Sequence, residues 1–133
     1  MRRLPDSLIK ITIAFMKNKN KYNAKKTYVD NIKFDSKSEA EYYIFLKEME
    51  RVGMCAIMEI QPKVYLTKTR ILYKPDFLII ENGEEIYIDV KGMMTPVFNI
   101  KKRLWRNYGK GKLRLVKKVR GGFDLLDEIS PVQ

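Results

Sequence analysis

Two aspartates and a lysine occur in apolar stretches of the chain, where a buried strand would normally carry hydrophobic side chains. Asp76 directly precedes the run Phe77–Ile80, and Asp89 lies within a second run, two residues before Lys91. Neighbouring carboxylates repel each other and are costly to bury, so a divalent cation is their natural counter-charge. Mg²⁺ suits such a site because it prefers oxygen ligands, retains water and bridges to phosphate oxygens. A lysine beside the cation can orient a water molecule or neutralise developing charge, which suits phosphodiester hydrolysis.

The dipeptide Asn82-Gly83 separates the two runs and is the strongest short-range signal for a β-hairpin. Counting back symmetrically from this turn places Asp76 opposite position 89, to within one residue. Strand alternation places Asp89 and Lys91 on one face of the second strand. The hairpin is therefore expected to bring the three side chains together as a metal site. The alternative is purely structural, with Asp76 at a strand end and Asp89 paired with Lys91 at the surface.

Two helices are predicted on either side of this hairpin. Ser36-x-x-Glu39 has the spacing of a helix-capping box, and the apolar stripe that follows predicts a helix over 38–52. The second helix, over 97–108, begins after Pro96. Its expected packing face consists of residues that recur at helical spacing, namely Val97, Ile100, Lys101, Leu104, Trp105 and Tyr108.

Extended segments are predicted between and after these helices. They are 57–66, 71–73, 77–80, 85–91 and 113–119. The last residues, from about 120 onward, are predicted to form a short amphipathic tail. Helix, strands, hairpin, helix and strand in this order predict an α/β fold with a mixed central β-sheet flanked by helices.

The net charge of +11 favours polyanionic partners, nucleic acid first and an anionic membrane surface second. Residues 92–123 hold ten Lys or Arg and no acid, whereas residues 34–91 hold eight basic and eleven acidic residues. This segregation suggests a carboxylate cluster within a phosphate-binding surface. The single cysteine, Cys55, excludes an internal disulfide, and the absence of histidine argues against structural zinc and a Cys/His nucleophile pair.

The length of 133 residues predicts one domain. Residues 8–16 form a short apolar element, either strand or helix, and a basic linker follows them. We therefore expect an N-terminal appendage for docking or dimerisation over 1–20 and the main domain over 21–133. No stretch approaches the roughly 20 apolar residues of a membrane span. Together with the lone cysteine, this predicts a cytoplasmic protein without a membrane partner.

The motif Pro75-Asp76, followed after a short hairpin by Asp89-Val90-Lys91, resembles the signature of the PD-(D/E)XK nuclease superfamily. Residues 21–120 also resemble small phage-encoded members of that superfamily. The resemblance implies a restriction-endonuclease-like core, DNA as the partner, and Mg²⁺ as the cofactor, with Mn²⁺ able to substitute. It implies neither haem nor a nucleotide cofactor, and it places a phage-encoded protein in the host bacterial cytoplasm. Holliday-junction resolution is the leading activity. Further matching positions are Gly92, Thr95, Phe98 and Lys101.

The resemblance also implies roles for individual residues. An acid on the preceding helix often completes the metal site in that superfamily, and Glu39 occupies the matching position. Glu41 also flanks the apolar stripe of this helix, and a capping box explains Glu39 without chemistry, so we prefer Glu39 and leave the choice open. The remaining roles fall on the motif itself: Asp76 and Asp89 as metal ligands, the Val90 carbonyl as a further ligand, and Lys91 as the water-positioning residue.

Several further residues are weaker candidates for a role in the site. Gln61 corresponds to a glutamine that contacts metal-bound water or phosphate in some relatives, and is otherwise a solvent-facing strand residue. Lys101 can reach the scissile phosphate or extend into solvent. Ser36 and Ser38 can contact phosphate through the helix N-terminus, or simply cap it. The cations expected to contact phosphates without sequence preference are Lys102, Arg103, Arg106, Lys110, Lys112, Arg114, Lys117 and Lys118.

The sequence thus predicts a Mg²⁺-dependent endonuclease that hydrolyses DNA phosphodiesters by in-line attack of an activated water. A branched recombination intermediate is the preferred substrate, and its symmetric cleavage requires two sites, which predicts a homodimer. A flap, single-strand or site-specific DNA nuclease on the same core is an alternative that the sequence cannot separate. A non-catalytic nucleic-acid-binding module is the alternative from another class, and it would bind DNA in a salt-sensitive way without cutting it.

Overall fold

The computed structural model describes residues 27–67, 71–92 and 94–132, which form a mixed α/β fold with a five-stranded sheet and two helices. The expected appendage over 1–20 lies outside the described residues. The elements in chain order are β1 (Thr27–Val29), β2 (Ile32–Phe34), α1 (Lys37–Arg51), β3 (Ala56–Ile60), β4 (Val64–Tyr65), β5 (Leu72–Tyr73), β6 (Phe77–Glu81), β7 (Glu84–Val90), α2 (Pro96–Tyr108), β8 (Lys112–Val119) and β9 (Gly122–Ile129).

The main sheet has the strand order β3-β6-β7-β8-β9. Its neighbours pair antiparallel except β7 and β8, which are parallel and are connected through α2. A parallel pair needs such a long crossover, whereas antiparallel strands can be joined by a tight turn. The short strands β1 and β2 form one hairpin, and β4 pairs with β5 in a second small sheet. The predicted α/β class with a mixed sheet is confirmed.

The hairpin of β6 and β7 is formed as predicted. Asn82 and Gly83 both have positive φ, at 53° and 76°, as a two-residue turn of the type that matches strand twist requires. The register pairs Phe77 with Ile88, so the residues next in line are Asp76 and Asp89. The symmetric count from the turn therefore gave the correct register.

Helix α1 covers one face of the sheet and differs by one residue at each end from the predicted span. The Ser36 hydroxyl accepts a hydrogen bond from Glu39 N at 3.1 Å, which confirms the N-cap. Residues 40–46 of the helix are buried, and they pack with the inward-facing strand residues Ile79 and Ile88. No helix in the described part of the chain is long and apolar enough to cross a membrane.

Helix α2 covers the opposite face, but with a different side from the one predicted. Phe98 and Trp105 are its buried residues, and Trp105 Nε1 donates to Gly111 O at 2.8 Å. Val97, Ile100 and Tyr108, which were expected to pack inward, are exposed. Phe98 and Trp105, seven residues apart, fix the orientation of the helix because their buried rings remove the most apolar surface from water.

Residues 122–129 form a strand, where an amphipathic tail was predicted from about residue 120 onward. Strand β9 pairs with β8 along its whole length, and its register shifts so that Val116 faces Leu125 whereas Leu115 faces Asp127. The skipped residue, Leu126, makes a β-bulge. At the bulge two leucines, Leu125 and Leu126, follow each other in the sequence. They interrupt the strict apolar–polar alternation by which a strand is recognised.

Candidate active site

An open pocket of about 630 Å³ lies where the ends of β6 and β7 meet the start of α1 and the first turns of α2. It brings together all four residues predicted to be catalytic, which come from three separate parts of the sequence. The residues that line it are Ser36, Glu39, Leu72, Tyr73, Lys74, Asp76, Asp89, Val90, Lys91, Gly92 and Lys101.

Asp76 is fixed by the backbone on both sides. Its N donates to Ile88 O at 2.9 Å, and its Oδ2 accepts from Val90 N at 2.7 Å. The residue is 9% exposed, and burial raises the pKa of its carboxyl to about 10, with the nearby charges of Asp89 and Glu39 acting in the same direction. The folded chain therefore disfavours a negative charge on Asp76 unless a cation is nearby.

Asp89 is held by a tyrosine that sequence reasoning missed. The Tyr73 hydroxyl donates to Asp89 Oδ2. The Tyr73 ring is itself fixed by packing, with its centroid 6.0 Å from the ring of Phe98 and 5.8 Å from that of Trp105. Burial, and then the charge of Asp89, raises the pKa of Tyr73, so its hydroxyl stays protonated and acts as a donor. The sequence predicted only an extended segment over 71–73, and nothing local distinguishes a tyrosine that bonds a carboxylate.

Lys91 lies between a carboxylate and an aromatic ring. Its Nζ is 3.2 Å from Asp89 Oδ2 and 3.7 Å from the centroid of the Phe98 ring. The two contacts fix the position of the ammonium group, because a cation is attracted to both a carboxylate and a ring face. Lys101 is on the same wall of the pocket, with its Nζ 5.8 Å from the Tyr73 ring.

Glu39 is the helix acid that lines the pocket. Its Oε2 is buried and has no hydrogen-bond partner among the described residues. Burial raises the pKa of its carboxyl, and the charges of Asp35 and Asp89 also raise it, while a hydrogen bond with Asp76 acts in the opposite direction. Glu41 lies elsewhere, since its Oε1 is 3.0 Å from Lys118 Nζ. The geometry therefore favours Glu39 over Glu41.

The oxygen donors of the pocket fit a hard divalent cation. Within the described ranges, no three Asp, Glu, Cys or His side chains are already arranged as a metal-binding group. Nevertheless, a buried Glu39 oxygen lacks any partner within the described part of the chain, and Asp76 resists ionisation beside two other acids. A cation among these side chains would satisfy that oxygen and remove the repulsion, and Mg²⁺ has the required preference for oxygen.

The weaker candidates have separate positions. Gln61 is not part of the pocket lining, but its N donates to Asp76 O at 2.7 Å. Its φ of 54° is unusual for a residue other than glycine, and such strain is often found beside functional sites. Ser36 lines the pocket and caps α1, whereas Ser38 is half-buried in the first turn and does not line it.

Seven of the eight predicted phosphate-binding cations, all except Arg114, divide into two groups. Three lysines form ion pairs, Lys102 with Asp127 at 2.9 Å, Lys112 with Glu84 at 3.4 Å and Lys118 with Glu41 at 3.0 Å. These pairs reduce the charge available to a phosphate. The exposed cations, for which phosphate contact stays a prediction, are Arg103, Arg106, Lys110 and Lys117.

Arg114, which was predicted to contact phosphate, is half-buried in β8 and forms ion pairs with two acids. Its Nη2 donates to Glu81 Oε2 at 3.0 Å, and its Nε donates to Glu128 Oε2 at 2.9 Å, so the side chain links strands β6, β8 and β9.

Replacing Arg114 removes the partner of both Glu81 and Glu128. We expect Arg114→Ala to lower the free energy of unfolding by about 2 kcal/mol. The exposed control, Arg103→Ala, should change it by less than about 0.5 kcal/mol in the same urea titration. Equal effects would contradict this assignment.

The comparison with curated proteins gives no match, and the comparison with solved structures gives none. One family model does match, over residues 19–121. The matched region includes Glu39, Asp76, Asp89 and Lys91 and runs through both helices. Because this match covers most of the 133 residues, the chain belongs to the family described as "Protein of unknown function (DUF1064)".

Proposed function

We propose that this protein is a Mg²⁺-dependent DNA endonuclease with a restriction-endonuclease-like core. The observation that carries the proposal is the single pocket in which Glu39, Asp76, Asp89 and Lys91 meet. Three acids converge there in a chain of net charge +11, and one buried carboxylate oxygen has no partner in the described structure. Buried carboxylates that repel each other within a basic protein are typical of a metal site that acts on a polyanion.

The resemblance of the motif to PD-(D/E)XK nucleases supports the same proposal. The two acidic motif positions lie at the open ends of adjacent antiparallel strands, and Lys91 follows directly at the end of β7. The helix acid reaches the same pocket from α1. These relations agree with what the resemblance implies for each residue.

The chain would hold the cation through Glu39, Asp76, Asp89 and the Val90 carbonyl, with Mn²⁺ able to replace Mg²⁺. When bound, the ion supplies charge neutralisation at the phosphodiester and a more acidic water. The chain's own contribution is orientation. The Val90 amide fixes Asp76, and the Tyr73 hydroxyl fixes Asp89, so neither carboxylate needs to reorganise during the reaction.

Lys91 is placed to orient the attacking water and to stabilise negative charge that develops on the phosphate. Its short contact with Asp89 and its place over the Phe98 ring keep the ammonium group at the pocket. Lys101 is positioned to contact a phosphate oxygen at the pocket wall. The exposed cations of the 92–123 segment would then hold the neighbouring phosphates.

The preferred substrate is branched DNA, cut by a homodimer with one site in each copy. The test is a cleavage assay on a labelled four-way junction, the matched duplex and a single strand, each with Mg²⁺ and with EDTA. We expect symmetric nicks confined to the junction, only with Mg²⁺. Cleavage of all three substrates at equal rates would contradict resolvase activity and favour a general nuclease. Salt-sensitive binding without any cleavage, under Mg²⁺ or Mn²⁺, would contradict the enzyme.

Tyr73→Phe tests whether the support of Asp89 matters. The ring contacts remain, so the protein should fold, but Asp89 loses the hydroxyl donor and keeps its contact with Lys91. Partners that orient a metal ligand typically contribute about 10–100-fold to metal affinity or activity. We expect a comparable rise in the Mg²⁺ concentration that gives half-maximal cleavage. The control is Tyr43→Phe, because its hydroxyl donates to Asp30 Oδ2 at 2.9 Å in the β1–β2 turn, outside the pocket. An unchanged Mg²⁺ dependence for Tyr73→Phe would contradict the role.

A further inference from the structure

Helix α2 presents an apolar stripe to solvent. Val97, Ile100 and Tyr108 are 63%, 57% and 50% exposed, and Leu104 between them is half-buried. Their spacing of three, four and four residues places all four on one face of the helix. We call these four residues the outer stripe. A single exposed apolar residue needs no explanation, but a contiguous row does.

The outer stripe lies beside the candidate active site. Lys101 is one turn from Val97 and one residue from Ile100, and it lines the pocket together with Asp76 and Asp89. A ligand whose phosphate is held at Lys101 can therefore extend over the outer stripe. Leu72, which is also exposed, lines the same pocket.

The charge around the outer stripe decides what can cover it. Helix α2 carries Lys101, Lys102, Arg103 and Arg106 and contains no acid, although Lys102 is paired with Asp127 of β9. In a symmetric dimer formed through this face, the same cations would meet each other, which disfavours a second copy. Nucleic acid matches both features, since its phosphates pair with the cations and its bases have apolar faces. In a continuous duplex those faces are covered by stacking, so only unstacked bases can reach the stripe.

We propose that the outer stripe contacts the faces of unstacked bases next to the phosphate held in the pocket. This inference rests on the proposed function and defines its substrate more closely, as DNA with unpaired or unstacked nucleotides beside the site of cleavage. The exposed Tyr108 ring and the flat flank formed by Val97 and Ile100 provide the contact surface. Such contacts tolerate any base, because every base has a π-face.

The test measures binding without cleavage, in EDTA, by the fluorescence anisotropy of two labelled probes. One probe is a fully paired duplex, and the other is the same duplex with a short unpaired segment. We expect Ile100→Ser together with Tyr108→Ser to weaken binding of the second probe by about tenfold and to leave the first unchanged. The matched control is Arg103→Ala, which should weaken both probes and lower the salt slope by about 0.9.

Equal weakening of both probes by the stripe variant, or no effect on either, would overturn the proposal. So would a wild-type dimer that becomes a monomer when the stripe is changed, as measured by sedimentation, because a second copy would then cover it. Both substituted side chains are exposed, so the variant should fold. The cleavage assay gives a separate answer: stripe-dependent binding without cleavage supports this surface and overturns the nuclease, whereas cleavage without stripe dependence overturns this surface alone.

Discussion

Replacing Asp89 with asparagine is expected to abolish Mg²⁺-dependent DNA cleavage while leaving DNA binding intact. The carboxylate is a proposed metal ligand, is hydrogen-bonded by Tyr73 and lies 3.2 Å from the ammonium group of Lys91. Loss of metal-based stabilisation costs several kcal/mol in the transition state, so the single-turnover rate should fall at least about 10³-fold. The exposed cations on α2 and β8 are unchanged, so the affinity measured in EDTA should stay within about twofold of wild type.

Glu84→Gln is the matched control for Asp89→Asn. Glu84 is on the same strand but at the far end of the hairpin, where it is exposed and paired with Lys112. We expect it to cut at the wild-type rate. If Asp89→Asn is folded by circular dichroism and still cuts at a comparable rate, the assignment of the catalytic carboxylates is wrong. If Asp89→Asn loses DNA binding as well as cleavage, Asp89 supports the DNA-binding surface rather than the metal site.

Asp76→Asn is expected to make the metal-free protein more stable, although it removes a catalytic ligand. Asparagine can still accept the hydrogen bond from Val90 N through its carbonyl oxygen, and it removes a carboxyl that is buried beside Asp89 and Glu39. Below about pH 4 the wild-type carboxyl is neutral in both states, so its full contribution to stability is present. That contribution is lost as the pH rises toward the folded pKa of about 10.

The melting temperature of wild type in EDTA should therefore fall between pH 5 and 8.5, and that of Asp76→Asn should fall less. At pH 8 the variant should melt about 5 °C higher. The chain has no histidine, so no imidazole titration contributes to the change in melting temperature between pH 5 and 8.5. Mg²⁺ at ten times its Kd should stabilise wild type by about 1.4 kcal/mol and the variant not at all.

Asp127→Asn is a control for which the expected change in stability has the opposite sign. Lys102 lowers the pKa of Asp127, so its contribution is present above about pH 4 and constant across the measured interval. We expect that variant to be slightly less stable than wild type, with the same pH slope and the same response to Mg²⁺. Identical pH slopes for wild type and Asp76→Asn would show that the carboxylate cluster is not under electrostatic strain.

The parts of the fold that could be predicted from the sequence were those with local signals. The Asn82-Gly83 turn fixed the register of β6 and β7, and the Ser36 cap fixed the start of α1. The β1–β2 hairpin was missed although Asp30 and Asn31, both at positive φ, form its turn. Strand β9 was missed because its bulge interrupts the alternation of apolar residues. The orientation of α2 depended on which side chains the sheet could bury, and this is decided by tertiary packing.

The residues of the candidate site could be predicted more completely than the fold around them. The acidic motif positions and Lys91 follow from strand alternation and one turn, and all line the pocket. Tyr73 could not be found in this way, because its role depends on a contact with Asp89, sixteen residues away. The ion pairs of Arg114 could not be predicted for the same reason. A basic residue in a basic segment looks like a phosphate ligand until Glu81 and Glu128 are seen beside it.

The most direct test of the central claim, that the pocket is a divalent cation site, is a calorimetric titration of Mn²⁺ into the purified protein without DNA. Wild type and Glu41→Gln should bind Mn²⁺ with the same affinity, since Glu41 pairs with Lys118 outside the pocket. Asp76→Asn should lose binding, and Glu39→Gln should bind at least about tenfold more weakly. Mn²⁺ binding that is equal in all four proteins, or absent from wild type, would contradict the account.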